Sequence, residues 1–231
     1  MFSRYFRESQ SSFIKRHFPE KKGPVRKAAE GWGDLISFFE ASLPDDLSVA
    51  HVALRDRSGY TPDMSDFTAF RSFARDTAAL FGGIVPSELA CGTFHVAPAL
   101  DRKTLLESLV RVAHVKKCGR YEGNTEEPPF IASFVLSFGS GYSLAEIREA
   151  VIETYRSQEV EAEFEVDIIA VLGAGLLVKK WDGSRAYAAI ETGEDTLMWF
   201  YILMREYIDT GKGEPVDLRS LVLDQREYTE Y

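Results

Sequence analysis

The sequence predicts a mixed α/β domain, a central mixed sheet flanked by helices, with an extra helix at the N-terminus. Three observations predict it. The elements read in the order helices, strands, helix, strand, helix, strands, helix. At the centre, Leu89 to Cys118 reads as a strand, a short turn and a helix, the unit around which the chain is organised. The 231 residues are 45% hydrophobic and 13% aromatic, enough for one packed core.

Residues 1–22 form an N-terminal amphipathic helix, and residues 23–231 a single α/β domain. Phe2, Tyr5, Phe6, Phe13, Ile14 and Phe18 give that helix an aromatic face, and Pro19 stops it. The face is expected to dock on the body or on another subunit. Pro24 can start a second helix that runs to Pro44, with Trp32, Leu35, Phe38, Phe39 and Leu43 on its buried side. Gly31 and Gly33 weaken its first half.

Leu47 to Leu54 reads as one β segment, followed by a polar turn and a short strand from Phe67 to Phe70. A further strand is expected over Leu80 to Val85, with Gly82 and Gly83 marking a bend. The central strand is the apolar run Leu89 to Val96. It breaks at Pro98, and Asp101 stands where an N-cap belongs. Leu105, Leu106, Leu109, Val112, Ala113 and Val115 follow at helical spacing. A loop rich in Gly, Asn, Pro and charge spans 119–129. Ile131 to Phe138 is a buried strand. Ser143 and Glu146 make a capping box that opens a helix to about Ser157.

Glu159, Glu161, Glu163, Glu165 and Asp167 follow at alternate positions. On a strand they share one face. The run reads as a solvated edge or loop, or as a surface for a divalent cation or a basic partner. Val166 to Leu172 and Leu176 to Lys180 are strands joined by a glycine turn, and Arg185 to Ile190 is another. The glycines of that turn open no helix, so they are not a phosphate loop. Asp195 is expected to cap a last helix carrying Leu197, Phe200, Leu203, Met204, Tyr207 and Ile208. Gly211 ends it, and the tail from Glu214 is polar apart from Leu218 to Leu223.

The net charge of -9 disfavours nucleic-acid binding, which depends on neutralising phosphates. The charge is uneven: residues 1–30 carry eight Lys/Arg against three Glu, and residues 143–231 nine against nineteen acids. Cys91 and Cys118 suggest neither a disulfide framework nor a zinc site. No apolar run reaches the roughly 18 residues of a membrane span. The first ten residues lack the apolar core of a signal peptide. The expectation is a cytoplasmic protein without a membrane partner.

In α/β folds a site lies at the carboxyl ends of such strands. Here those residues are His95, Val96 and Ala97. The helix ending in Ser42-Leu43-Pro44, the turn SGYTPDMSD, the stretch HVAPALDRKTLLESL running into VAHVKK, the pair VDIIAVLGAGLLV and the final DTLMWFYILM carry a resemblance across about residues 24–210. In their order and spacing the chain resembles a bacterial domain family of unknown function related to the PD-(D/E)xK nuclease superfamily. The resemblance implies a restriction-endonuclease-like fold. In that superfamily an acid ends one strand, and an acid, an apolar residue and a lysine stand on the next. The acids hold Mg²⁺, a hard cation that takes oxygen ligands. The metal activates water, and the lysine orients it.

Such families commonly read Ser-x-Gln-x-Asp and then Glu-Val-Lys. Here the first place reads Thr61-Pro62-Asp63-Met64-Ser65-Asp66, so the aspartate falls on Ser65. The second reads His95-Val96-Ala97, so the glutamate becomes His95 and the lysine Ala97. The upstream helix, which often adds a glutamate, offers Gly31, Trp32 and Gly33.

The resemblance with these departures implies a pseudoenzyme without a cofactor. It would bind another protein or a second copy of itself, as a subunit, inhibitor or immunity partner in a bacterial defence or mobile-element system. Phe6, Phe13, Glu161 and Glu163 are the partner-binding candidates. The alternative is a metal-dependent nuclease rebuilt on Asp63, Asp66 and His95, with Glu88 or Asp101 nearby, using Mg²⁺ or Mn²⁺. His17, His51 and His114 are scattered, and the surroundings of Ser140 lack a nucleophile elbow.

Overall fold

A computed structural model of the chain describes residues 2–18, 32–56, 58–63, 65–118, 130–181 and 185–208. In chain order these give α1 (Phe2–His17), α2 (Gly33–Ser42), β1 (Leu47–Ala50), β2 (Ala53–Arg55), β3 (Phe67–Arg71), α3 (Arg75–Leu80), β4 (Ile84–Pro86) and β5 (Ala90–Ala97). Then come α4 (Arg102–Lys116), β6 (Ala132–Ser137), α5 (Leu144–Ser157), β7 (Ile168–Val171), β8 (Gly175–Lys179), β9 (Tyr187–Glu191) and α6 (Thr196–Ile208).

The expected mixed sheet is present. Seven strands run in the order β1-β3-β5-β6-β7-β8-β9. β5, β6 and β7 are parallel, and the flanking pairs are antiparallel. Parallel neighbours need a crossover, and α4 and α5 supply the two. Strands covered on both faces read as unbroken apolar runs, and all six residues of β6 are buried. Phe94, Phe134 and Ile168 face a cluster shared with α1, α2 and α6. Ala97, Val135 and Ile169 face a second cluster under α4 and α5.

The capping signals of α4 and α5 form as read. Asp101 accepts a hydrogen bond from the Thr104 N–H at 2.8 Å, and Ser143 one from Glu146 at 3.3 Å. Gly175 is required where β8 passes β9, because a Cβ there would stand 2.1 Å from the Ile190 carbonyl oxygen.

α1 is joined to the core of the domain. Phe6 and Phe13 are 3% and 6% exposed and pack edge-on against Phe38. Burying each contributes about 1.5–3 kcal/mol. Arg7 donates twice to the Asp195 carboxylate, at 2.6 and 3.1 Å. Gln10 donates to the Gly193 carbonyl at 3.0 Å and accepts from the Leu197 N–H at 2.8 Å. Asp195 stands directly before α6, where the sequence places a cap. Its charge goes to Arg7, and Gln10 takes the orphan donor at the helix start. The expected boundary at residue 22, the start of the second helix at Pro24, the 119–129 loop, Gly211 and the tail lie outside the described residues.

Three other expectations change. Leu47 to Leu54 is two strands: β1 pairs with β3, while β2 pairs with β4 in a separate parallel pair. The segment from Leu80 carries a helix end and a glycine turn before β4, with Gly82 and Gly83 at φ of +69° and +83°. The acidic run is not a strand with one solvated face. Ala162–Phe164 forms a 3-10 turn, which breaks the alternation. Glu165 and Asp167 turn inward because Lys179 and Lys116 wait there.

Candidate functional site

The first place of the nuclease pattern lies at the start of β3, and the second at the end of β5. Phe67 faces Phe94 across the ladder, and the Asp66 N–H continues it by donating to the Phe94 carbonyl at 2.9 Å. Asp66, Ser65 and His95 are therefore brought to one end of two paired strands. Helix α4 returns over this end and adds Arg111, which sequence reasoning missed.

Each side chain is committed elsewhere than to a shared ion. The Asp66 carboxylate accepts the Val96 N–H at 2.8 Å and the Arg111 guanidinium at 3.3 Å. Asp63 is exposed and pairs with His114 at 3.2 Å. Ser65 is buried, with its hydroxyl 2.8 Å from that of Thr68. Ala97 is 4% exposed and belongs to the apolar cluster with Leu100, Leu105 and Leu109. Asp101 is occupied as the N-cap of α4, which holds its carboxyl below the usual range. Glu88 follows the short β4 and sits beside Ser87.

His95 is fully buried, and neither ring nitrogen has a hydrogen-bond partner among the described residues. Burial, and then the nearby Arg111 charge, lower its pKa to about 3. The ring is neutral at physiological pH. Among the described residues no three His, Cys, Asp or Glu side chains are grouped to hold a metal ion. These side chains do not fit the divalent metal that the nuclease pattern implies, because the carboxylates face a backbone N–H, an arginine and a histidine instead.

The partner-binding candidates divide. Phe6 and Phe13 cannot present their rings to a partner, since the chain's own core covers them. This corrects the expected surface: the aromatic face of α1 is used up on α2 and α6. Glu161 is exposed and Glu163 half-buried. Among the described residues the large apolar side chains left most open are Phe73, Leu80 and Phe81, at 72%, 86% and 67%.

A second polar cluster was not anticipated. Lys116 pairs with Asp167 at 2.6 Å, and Lys179 with Glu165 at 3.3 Å, all four side chains almost fully buried. Asp167 also accepts the Ser133 N–H at 2.7 Å. Burial pushes the Asp167 carboxyl up against the pull of Lys116, and the Lys179 ammonium down against the pull of Glu165. Trp181 stacks over Lys179 at 4.1 Å. A signal existed in the sequence. Lys116 follows the apolar stripe of α4, and Lys179 alternates with Leu177 on an inward face of β8. A lysine on an apolar face asks for a buried acid.

No helix among the described residues is long and apolar enough to cross a membrane. No protein-family model matches the chain, and no curated protein matches it in sequence. Among solved structures it is similar to NucC. The P. aeruginosa NucC in its cAAA-bound form superposes with a TM-score of 0.69 at 16% identity, over 95% of this chain and 94% of that one. The cAAA-bound E. coli NucC gives 0.69 at 16%, over 94% and 93%. The apo E. coli form gives 0.65 at 18%, over 95% and 97%. Along nearly its whole length the chain has the restriction-endonuclease-like fold of NucC.

Proposed function

We propose that the chain is a catalytically degenerate, nuclease-like protein of a bacterial defence or mobile-element system that acts by binding another protein or a second copy of itself. The fold shared with NucC supports the nuclease-like reading. One observation carries the loss of catalysis: at the strand ends where the nuclease pattern needs acid, acid and lysine, Ser65, His95 and Ala97 are all buried. A buried methyl group can neither orient water nor offset charge, and a neutral, desolvated imidazole carries no charge to hold a hard cation. Phe73, Leu80 and Phe81 leave apolar surface open, as a binding role needs.

The second reading, a metal-dependent nuclease on Asp63, Asp66 and His95, has one observation in its favour. Among the described residues the His95 nitrogens lack partners, and Asp66 comes next in the ladder after the Phe67–Phe94 pair, opposite His95. Incubation of the protein with supercoiled plasmid and with single-stranded RNA, in Mg²⁺ and in Mn²⁺, separates the two. The expected result is no cleavage above a control lacking the protein. Metal-dependent cleavage that disappears in both Asp66→Ala and His95→Ala would establish the nuclease instead.

A further inference from the structure

Away from the strand ends, a cavity of about 180 Å³ lies between α5, the segment before β7, and β9, lined by Ile152, Tyr155, Arg156, Glu165, Arg185 and Tyr187. We propose that this cavity is a binding site for a phosphate group that keeps one proton, with the Arg156 and Arg185 guanidinium groups on its anionic oxygens and the Glu165 carboxylate accepting its P–O–H.

The charges favour an anion. The Arg156 guanidinium has no hydrogen-bond or ion-pair partner among the described residues. Arg185 reaches Glu165 at 3.5 Å and donates to the Val160 carbonyl at 2.5 Å, leaving further N–H groups. Lys179 stands behind Glu165 at 3.3 Å. Lys179 and Arg185 flank this one carboxylate and Arg156 lines the same cavity, on a chain of net charge -9. Glu161 and Glu163 belong to the neighbouring segment but do not line the cavity. Guanidinium groups match phosphate oxygens in geometry as well as charge.

Glu165 gives the site its selectivity. It is 2% exposed; Lys179 stands 3.3 Å from its Oε2 and Arg185 3.5 Å from its Oε1, both as ion pairs that leave lone pairs on the carboxylate. A buried carboxylate facing a cavity repels a fully ionised oxyanion and rewards one that donates a proton. A phosphomonoester, with its second pKa about 6, keeps that proton on a minority of molecules at neutral pH, and the site would select that form. Sulfate keeps none. The Tyr155 hydroxyl accepts the Val166 N–H at 2.9 Å, so its own proton remains to be donated. Burial raises its pKa well above the usual value, which keeps that proton in place. Tyr187 donates to the Val166 carbonyl at 3.1 Å and keeps lone pairs. The volume is well below the roughly 300 Å³ at which drug-sized pockets begin. It holds a phosphate with a small organic body, beside Ile152.

Calorimetry of the 231-residue protein with inorganic phosphate, glycerol 3-phosphate and sulfate tests this. Saturable phosphate binding is expected, at least about tenfold tighter than sulfate. If glycerol 3-phosphate binds tighter still, the ligand is a phosphomonoester. If it binds more weakly than phosphate, the ligand is the free ion. Arg156→Gln, at an exposed position, should weaken phosphate at least about tenfold, and Glu165→Gln should abolish the preference over sulfate. Where Glu165→Gln fails to fold, the wild-type comparison and Arg156→Gln still decide. Absence of saturable binding by both phosphates, equal binding of sulfate by the wild type, or an Arg156→Gln protein that binds phosphate unchanged would overturn the proposal.

Discussion

Two buried polar regions lie under the same helix, α4, and they solve burial in opposite ways. At the end of β5, His95 gives up its charge: its pKa falls to about 3 and its nitrogens have no partner among the described residues. Near the starts of β6 and β7, Lys116, Asp167, Lys179 and Glu165 keep charged partners beside them at 2.6 and 3.3 Å. Paired charges depend on one another. A neutral ring depends on no partner, so it can be replaced cheaply. At the strand ends expected to be catalytic the His95 ring is the expendable part, whereas in the region resembling an ordinary acidic run each charge depends on its partner.

The largest effect should come from breaking a pair. Lys116→Met strands the Asp167 carboxylate in the core and should cost about 3–5 kcal/mol in urea unfolding. The double change Lys116→Met with Asp167→Leu should recover most of that. If the double is as unstable as the single, the cost lies in packing rather than in an orphaned charge. Next comes Asp66→Ala, which removes an ionised acceptor from the Val96 N–H and should cost about 1.5–3 kcal/mol. No loss would mean that the carboxylate is not holding the end of β5.

His95→Leu should move the other way, stabilising by about 1 kcal/mol because an unpartnered buried polar ring is replaced by an apolar side chain. It also carries a pH signature. The unfolded state takes up a proton on His95 near pH 6.5, whereas the folded state does so only near 3. Between these values the unfolded state binds more protons, so His95 makes the protein lose stability as pH falls, by up to about 1.4 kcal/mol per pH unit. Comparing wild type with His95→Leu from pH 7 to 4 isolates that slope; parallel curves would place a partner on the ring. The smallest effect is at the entrance to the charged region. Glu159 holds φ at +51° after α5, where glycine is at ease, and Glu159→Gly should stabilise by about 0.5–1 kcal/mol.

The same contrast explains what was legible in the sequence. Apolar runs and caps are local signals, so β5, β6, α4 and α5 could be read from residues 89–157, together with the Asp101 N-cap and the Ser143–Glu146 capping box. The departures proposed at Ser65, His95 and Ala97 rest on where the resemblance puts the acids and the lysine. What could not be read depends on contacts distant in sequence. Phe6 and Phe13 give an apolar face, but only the partner at Phe38 shows that the face is covered from within. Glu165 and Asp167 look like their exposed neighbours until Lys179 and Lys116 are brought beside them. Arg111 looks like a solvated helix residue until Asp66 meets it from β3.

The measurement that bears most directly on the loss of catalysis is a calorimetric titration of the protein with Mn²⁺ and Mg²⁺, run beside Asp63→Ala, Asp66→Ala and His95→Ala. The proposed loss of catalysis predicts no saturable heat at the strand ends, and identical traces for wild type and variants. Saturable binding that Asp66→Ala and His95→Ala both abolish would contradict it and identify a working metal site.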